Sequence, residues 1–294
     1  MTDRFTAPAV IRLAPGGSPP RRRERSILPG LRLSLGFTLV YLSLIVLVPL
    51  GVLAVRPWEA GLSGVLHVLS EPRVRSALGI SFGLSLQAAL VNAPLGLLVA
   101  WSVTRYEFPG RRILDALIDL PFALPTAVAG IALTAIYAPS GPLGALALKF
   151  GIKTAYSPVG IFIALVFIGL PFVVRTVQPV MQDLDREVEE AARTLGATDL
   201  QRISRVVLPA LAPALLAGVG LAFARAVGEY GSVIFIAGNL PMKTEIAPLL
   251  IVIKLEEYDY AGAATIGLAM LLVSFGALAA LNVVQLWLAR RGHA

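Results

Sequence analysis

Six apolar stretches, each long enough to cross a bilayer, constrain this chain more than any other feature. A membrane helix needs about 20 consecutive apolar residues. Residues 33–55, 77–102, 114–138, 157–180, 210–237 and 262–288 meet that length, each bounded by charged residues or Gly/Pro punctuation. No small-residue cleavage site ends the first stretch, so it reads as an uncleaved helix. With 56% hydrophobic and 15% charged residues, the chain is too apolar for a soluble domain of 294 residues. The expected fold is an all-α integral membrane protein of six transmembrane helices, residues 31–290, preceded by a tail, residues 1–30. That tail is rich in Pro, Gly and Arg and lacks periodicity, the composition of a disordered segment.

Charge then sets the orientation. With the N-terminus inside, the residues before the first stretch, the inner loops 103–112 and 175–209 and the C-terminus carry 17 Lys and Arg residues against seven in the outer loops, and the remaining one is Arg225. The +7 net charge therefore reads as topology rather than nucleic-acid affinity, and it places both termini in the cytoplasm. The chain has no cysteine and only two histidines, His67 and His293, which excludes disulfides, thiolate sites and a histidine metal cluster. No phosphate-binding glycine loop occurs either, so any nucleotide chemistry, ATP with Mg, belongs to a partner, and no cofactor is expected on this chain.

Between the fourth and fifth apolar stretches lies the one long polar passage, residues 183–213. Val188, Ala191, Ala192 and Leu195 recur at the spacing of one helix face, with Arg186, Glu187, Glu189, Glu190 and Arg193 opposite. The Arg186/Glu190 and Glu189/Arg193 pairs sit at i,i+4. Gly196 stops that helix, and Thr198 to Gln201 reads as a capping box that starts another, with Leu200, Ile203 and Val207 on one face. The passage predicts a helix, a sharp turn and a helix.

Its wording is specific. Glu190-Ala191-Ala192, three residues, Gly196, nine residues, Val206, one residue, Leu208-Pro209 resembles the cytoplasmic EAA loop of the permease subunits of ATP-driven importers, departing only in Val206 where the family has Ile. The resemblance implies a type I ABC importer permease fold in which residues 183–209 form the coupling loop. Glu190, Ala191, Ala192, Gly196, Leu208 and Pro209 would then dock on the ATPase. The run from Phe223 to Gly231 resembles the oxyanion branch of that family, the sulfate and molybdate permeases. Ser232 to Asn239 and Lys254 to Tyr260 look like the T-subunit type of the sulfate/thiosulfate permeases. Implied partners are a second permease subunit of the W type, two ATPase subunits and a periplasmic sulfate/thiosulfate-binding protein. The chain would sit in the bacterial inner membrane as a transport subunit without catalysis of its own.

Two features inside the apolar stretches bear on a pathway. Arg225 and Glu229 lie i,i+4 in the fifth stretch, and burying either alone costs several kcal/mol, so they read as a mutual pair that lines or braces the route. Pro121 and Pro125, in Leu-Pro-Phe-Ala-Leu-Pro, imply broken backbone, tolerated at membrane depth only against protein or water, and are read as lining a gate. Gly79-Ile80-Ser81-Phe82-Gly83 matches the nucleophile pattern of a serine hydrolase, but neither histidine is placed to act as base. A molybdate or tungstate permease of the same family, or a secondary transporter driven by an ion gradient, are the alternatives; the latter has no need of the capped polar hairpin.

Overall fold

The computed structural model describes residues 31–291, so the expected tail, residues 1–30, lies outside the described residues. Every regular element among them is helical: α1 (Leu31–Leu42), a π-turn (Ser43–Leu47), α2 (Val48–Val55), a 3-10 turn (Arg56–Ala60), α3 (Gly61–Ser70), α4 (Pro72–Arg105), α5 (Arg111–Ile118), α6 (Leu120–Ala123), α7 (Thr126–Tyr137), α8 (Pro142–Lys149), α9 (Pro158–Asp183), α10 (Arg186–Thr194), α11 (Asp199–Arg202), a second π-turn (Ile203–Val207), α12 (Leu208–Val227), α13 (Val233–Ile236), α14 (Ala247–Glu256) and α15 (Tyr260–Arg291). The chain divides into two units, residues 1–50 and 51–294. Of the first, the described part is α1, the π-turn and the start of α2; Phe37 and Tyr41, one turn apart, stack at 6.1 Å.

Among the described residues, five helices are long and apolar enough to span a membrane, Leu33–Ser70, Pro72–Arg105, Pro158–Asp183, Asp199–Val227 and Tyr260–Gln285, and a sixth span arises if α7 and α8, bent by 46°, count as one. The total therefore matches the sequence expectation of six, but two of the expected spans are corrected. Residues 114–138 are not one helix. The chain breaks at Asp119 and again at Leu124, which is extended at φ −84°, ψ 136° ahead of Pro125, because proline drives the residue before it out of the α region. The segment before the breaks, α5, carries Arg111, Arg112 and Asp115, and Arg175 of α9 grips it: Nη1 donates to Asp115 at 2.7 Å, while Nε and Nη2 donate to Asp119 at 2.8 and 2.6 Å. Arg175, counted from the sequence as the first residue of an inner loop, thus stands inside α9. Residues 210–237 are not one helix either, for α12 stops at Val227 with Gly228 as its cap.

The second unit is built around α4, α9 and α12. Val173, Val174 and Val177 of α9, Ala100 of α4 and Leu211 and Ala222 of α12 are buried together. Small residues let the backbones close: a Cβ on Gly96 of α4 would come within 2.6 Å of the Val173 side chain, and one on Gly218 of α12 within 2.9 Å of the Val173 Cα. Lipid tails are as apolar as leucine, so close van der Waals packing and interhelical hydrogen bonds are what hold membrane helices together. Asn92 of α4 supplies one such bond, donating to the Val166 carbonyl at 3.1 Å.

At the start of α4, polar contacts pin the segment that leads into α14. Arg73 donates through Nε and Nη2 to both oxygens of Glu245, at 2.9 and 2.7 Å. Ser76 donates to the Met242 carbonyl. Ser81, the serine of the hydrolase-like pattern, is buried and accepts from the Ala247 N–H at 2.8 Å. Its hydroxyl oxygen therefore satisfies a free donor at the start of a helix. Beyond α14, the Asp259 carboxyl meets Lys254 at 3.1 Å and accepts from the Gly262 N–H. Burial works against its charge, yet that N–H and the ammonium hold it below the ordinary carboxylate value.

Candidate functional site

The polar passage folds as a capped hairpin. Asp185 accepts from the Glu187 N–H and so caps α10. At the other end Gly196 has φ 83°. Its N–H donates to the Arg193 carbonyl and that of Ala197 to the Ala192 carbonyl, at 2.9 and 3.0 Å, the bonds of a Schellman turn. Thr198 and Gln201 then exchange side chain to backbone bonds at 3.3 and 2.9 Å and start α11. Pro209 has no N–H to give, and the helix loosens just before it: Leu208 reaches back five residues, to the Ile203 carbonyl, which makes the π-turn. The wider turn breaks the α-register between Leu200 and Val207, so the face expected from Leu200, Ile203 and Val207 is split. Leu200 is exposed and Val207 is buried.

The two sides of the hairpin differ. Glu190 and Ala191 are exposed and Ala192 half-buried, and beside them Val188 and Leu195 present apolar side chains, Leu195 at 88% exposure. Glu189, next to them, is only 7% exposed. Its carboxylate accepts from Arg105 Nη2 at 2.6 Å and from Arg202 Nη1 at 3.2 Å. The expected Glu189/Arg193 pair does not form, because Glu189 turns inward and Arg193 meets Asp199 instead, at 3.4 Å; the Arg186/Glu190 pair involves a side chain outside the described ones. Between the hairpin and the end of α4 runs a cleft of about 300 Å³ lined by Trp101, Arg105, Glu189, Glu190 and Arg202 among others. The anchoring role of Glu189 was not legible in the sequence, where Arg105 lies 84 positions away.

The second cluster lies where α12 ends. Arg225 Nη1 approaches Glu229 Oε2 to 2.6 Å, but Glu229 is past the helix, in the turn after Gly228. Its other oxygen accepts from both the N–H and the hydroxyl of Ser232, at 2.8 and 2.9 Å. A carboxylate 3% exposed is thereby saturated by one cation and two neutral donors, which removes most of the cost of burying it. Arg225 is bound at one nitrogen, and its side chain stays 34% exposed. Gly228 and Gly231, on either side of Glu229, were the sequence signal for this turn; the apolar residues after them concealed it.

The proline break joins this turn. Pro125 caps α7, and the first two turns of that helix lie against the loop: a Cβ on Gly231 would overlap the Thr126 side chain, and one on Gly130 would overlap the Ser232 backbone. Pro121 sits in α6, where its neighbour Phe122 packs edge-on against Phe172 of α9, ring centres 5.0 Å apart. The structure thus gathers Pro125, Arg225 and Glu229 into one neighbourhood. Glu190, Ala191, Ala192 and Gly196 lie apart from it, on the hairpin, and Leu208 and Pro209 stand at the junction of that hairpin with α12.

Residues 92–292 match the family described as binding-protein-dependent transport system inner membrane component. The chain is 47% identical over 272 residues to the sulfate transport system permease protein CysT of Salmonella typhimurium, covering 92% of this chain and 98% of that protein. It is likewise 47% identical over 250 residues to CysT of Synechocystis, covering 85% and 87%. Among solved structures, a chain of a bacterial ABC transporter that imports the polysaccharide alginate superposes with a TM-score of 0.72 at 15% identity, over 87% of this chain and 94% of that one, so the two share a fold. With the family match spanning more than half the chain and relatives this similar along nearly all of it, the chain belongs to the binding-protein-dependent inner membrane components, the permease family of ABC importers.

Proposed function

We propose that this permease forms half of a sulfate and thiosulfate import pathway, with a second permease subunit as the other half. The observation that carries the reading is Arg225: an arginine one-third exposed at membrane depth faces a pathway or a partner, since lipid contact is too costly. Glu229, held by Ser232, fixes its position and leaves its other donors for an oxyanion. Pro121 and Pro125 line the gate beside this point. Sulfate as the cargo is supported by the relatives that carry that name.

The exposed face of the hairpin, Glu190, Ala191 and Ala192, docks on the ATPase, with Gly196 setting the turn and Leu208-Pro209 joining it to α12. ATP and Mg bind in two ATPase subunits, a periplasmic binding protein delivers the anion, and this chain performs no catalysis. Both termini and the hairpin face the cytoplasm; a single cysteine at Ala197, in a chain that has none, should resist an impermeant reagent applied from the periplasm. Cargo is tested by uptake of labelled sulfate, thiosulfate and molybdate in cells deleted for this chain and complemented with it. Restored uptake of sulfate and thiosulfate is expected. Restoration of molybdate alone would place the chain with the molybdate permeases, and uptake without an ATPase partner would refute the importer reading.

A further inference from the structure

Two ion pairs with hidden carboxylates stand at opposite ends of one helix. α4 is 34 residues long, about 50 Å at 1.5 Å per residue. Near its last residue Arg105 holds Glu189, on the hidden side of the hairpin, at 2.6 Å. Near its first residue Arg73 holds Glu245 through two bonds, in the segment that enters α14. In both pairs the arginine belongs to α4 and the carboxylate to a segment outside the three-helix core. The Glu189 and Glu245 side chains are 9% and 1% exposed, so Glu245 cannot let go of Arg73 without leaving a buried charge unpaired, and Glu189 without Arg105 would keep only its longer bond to Arg202.

Apolar contacts can slide past one another; a short charged hydrogen bond to a buried carboxylate has one register. Between its ends α4 is packed closely on α9, by Gly96 against Val173 and by the bond from Asn92 to Val166. We infer that α4 is the strut that carries movement of the hairpin to the segment before α14, with Arg105–Glu189 and Arg73–Glu245 as its two joints. The inference rests on the import reading above, in which an ATPase moves the hairpin. Glu189 and Arg105 are positioning residues, not docking residues: Glu189 is buried against Arg105 and Arg202, whereas Glu190 is exposed.

The test uses the complete importer, this permease with its partner subunits, in liposomes, and measures sulfate moved per ATP hydrolysed. Glu189→Gln and Arg73→Gln should each lower that ratio at least fivefold, while the ATPase stays bound and hydrolysis remains within twofold of the wild type. Arg105→Gln should match Glu189→Gln, and Arg105→Lys, which keeps the charge, should stay within twofold of the wild type. A ratio within twofold of the wild type in Glu189→Gln or Arg73→Gln overturns the strut, and so does loss of the ATPase from Glu189→Gln, which would make that residue part of the docking face. If Glu189→Gln does not accumulate, Arg73→Gln, at the far end, decides by the same ratio. A wild-type assembly that hydrolyses ATP without moving sulfate refutes the import reading and the strut together; coupling intact in both wild type and variants refutes the strut alone.

Discussion

Glu189 and Glu229 are both buried carboxylates, yet they are neutralised in opposite ways. Glu189, in the hairpin, takes two arginines, one of them 84 positions back in the chain. Glu229, at the end of a membrane helix, takes one arginine four positions back and fills its other oxygen with the neutral donors of Ser232. The difference follows from the surroundings. In the hairpin the second cation, Arg202, is itself shared with Asp199 at 3.3 Å, so the charges are balanced across a network and serve as an anchor. At membrane depth any net charge is strongly unfavourable, so the site is balanced one to one and completed with dipoles.

The largest effect should come from unbalancing the deep site. Glu229→Gln leaves Arg225 without its counter-charge, at a cost of about 3–5 kcal/mol, and the amount of permease in the membrane should fall severalfold. The double change Arg225→Gln with Glu229→Gln should restore the amount, because the charge leaves with its partner, but not sulfate uptake. Restored uptake would reduce Arg225 to a structural role; an amount as low as in the single variant would show that mutual neutralisation is not why the pair exists.

Changes in the hairpin should act on docking rather than insertion. Gly196 has open space where a side chain would project but a φ of 83°, so Gly196→Val should cost about 1–3 kcal/mol through backbone strain alone. Permease should be present in normal amount, with less ATPase retained after detergent extraction. Glu190→Lys should weaken retention in the same way through charge, without backbone strain; full retention in both variants would remove the docking assignment. The smallest effect belongs to the cap: Thr198→Ala loses one side of the capping box, about 1 kcal/mol, and should leave both permease amount and uptake near normal. A large loss of uptake there would mean that the hairpin tolerates far less fraying than its exposure suggests.

What the sequence determined by itself is everything set by near neighbours in the chain. The asymmetry of Gly196 and the box from Thr198 to Gln201 are local hydrogen-bond chemistry, and both were legible as written. So were the number of spans and the broken backbone at Pro125, because a bilayer demands long apolar runs and proline lacks a donor. Hydropathy misjudged where spans end: α5 was read as membrane and the residues after Gly228 as helix, since apolar content does not register a turn whose polar groups are satisfied internally. Only the tertiary structure decided that Arg105 meets Glu189, that Arg73 meets Glu245, and that Arg175 ties α5 to α9. Those partners lie 60 to 172 positions apart, and which charge finds which depends on how small residues such as Gly96 and Gly218 let three helices close together, a geometry that no local pattern encodes.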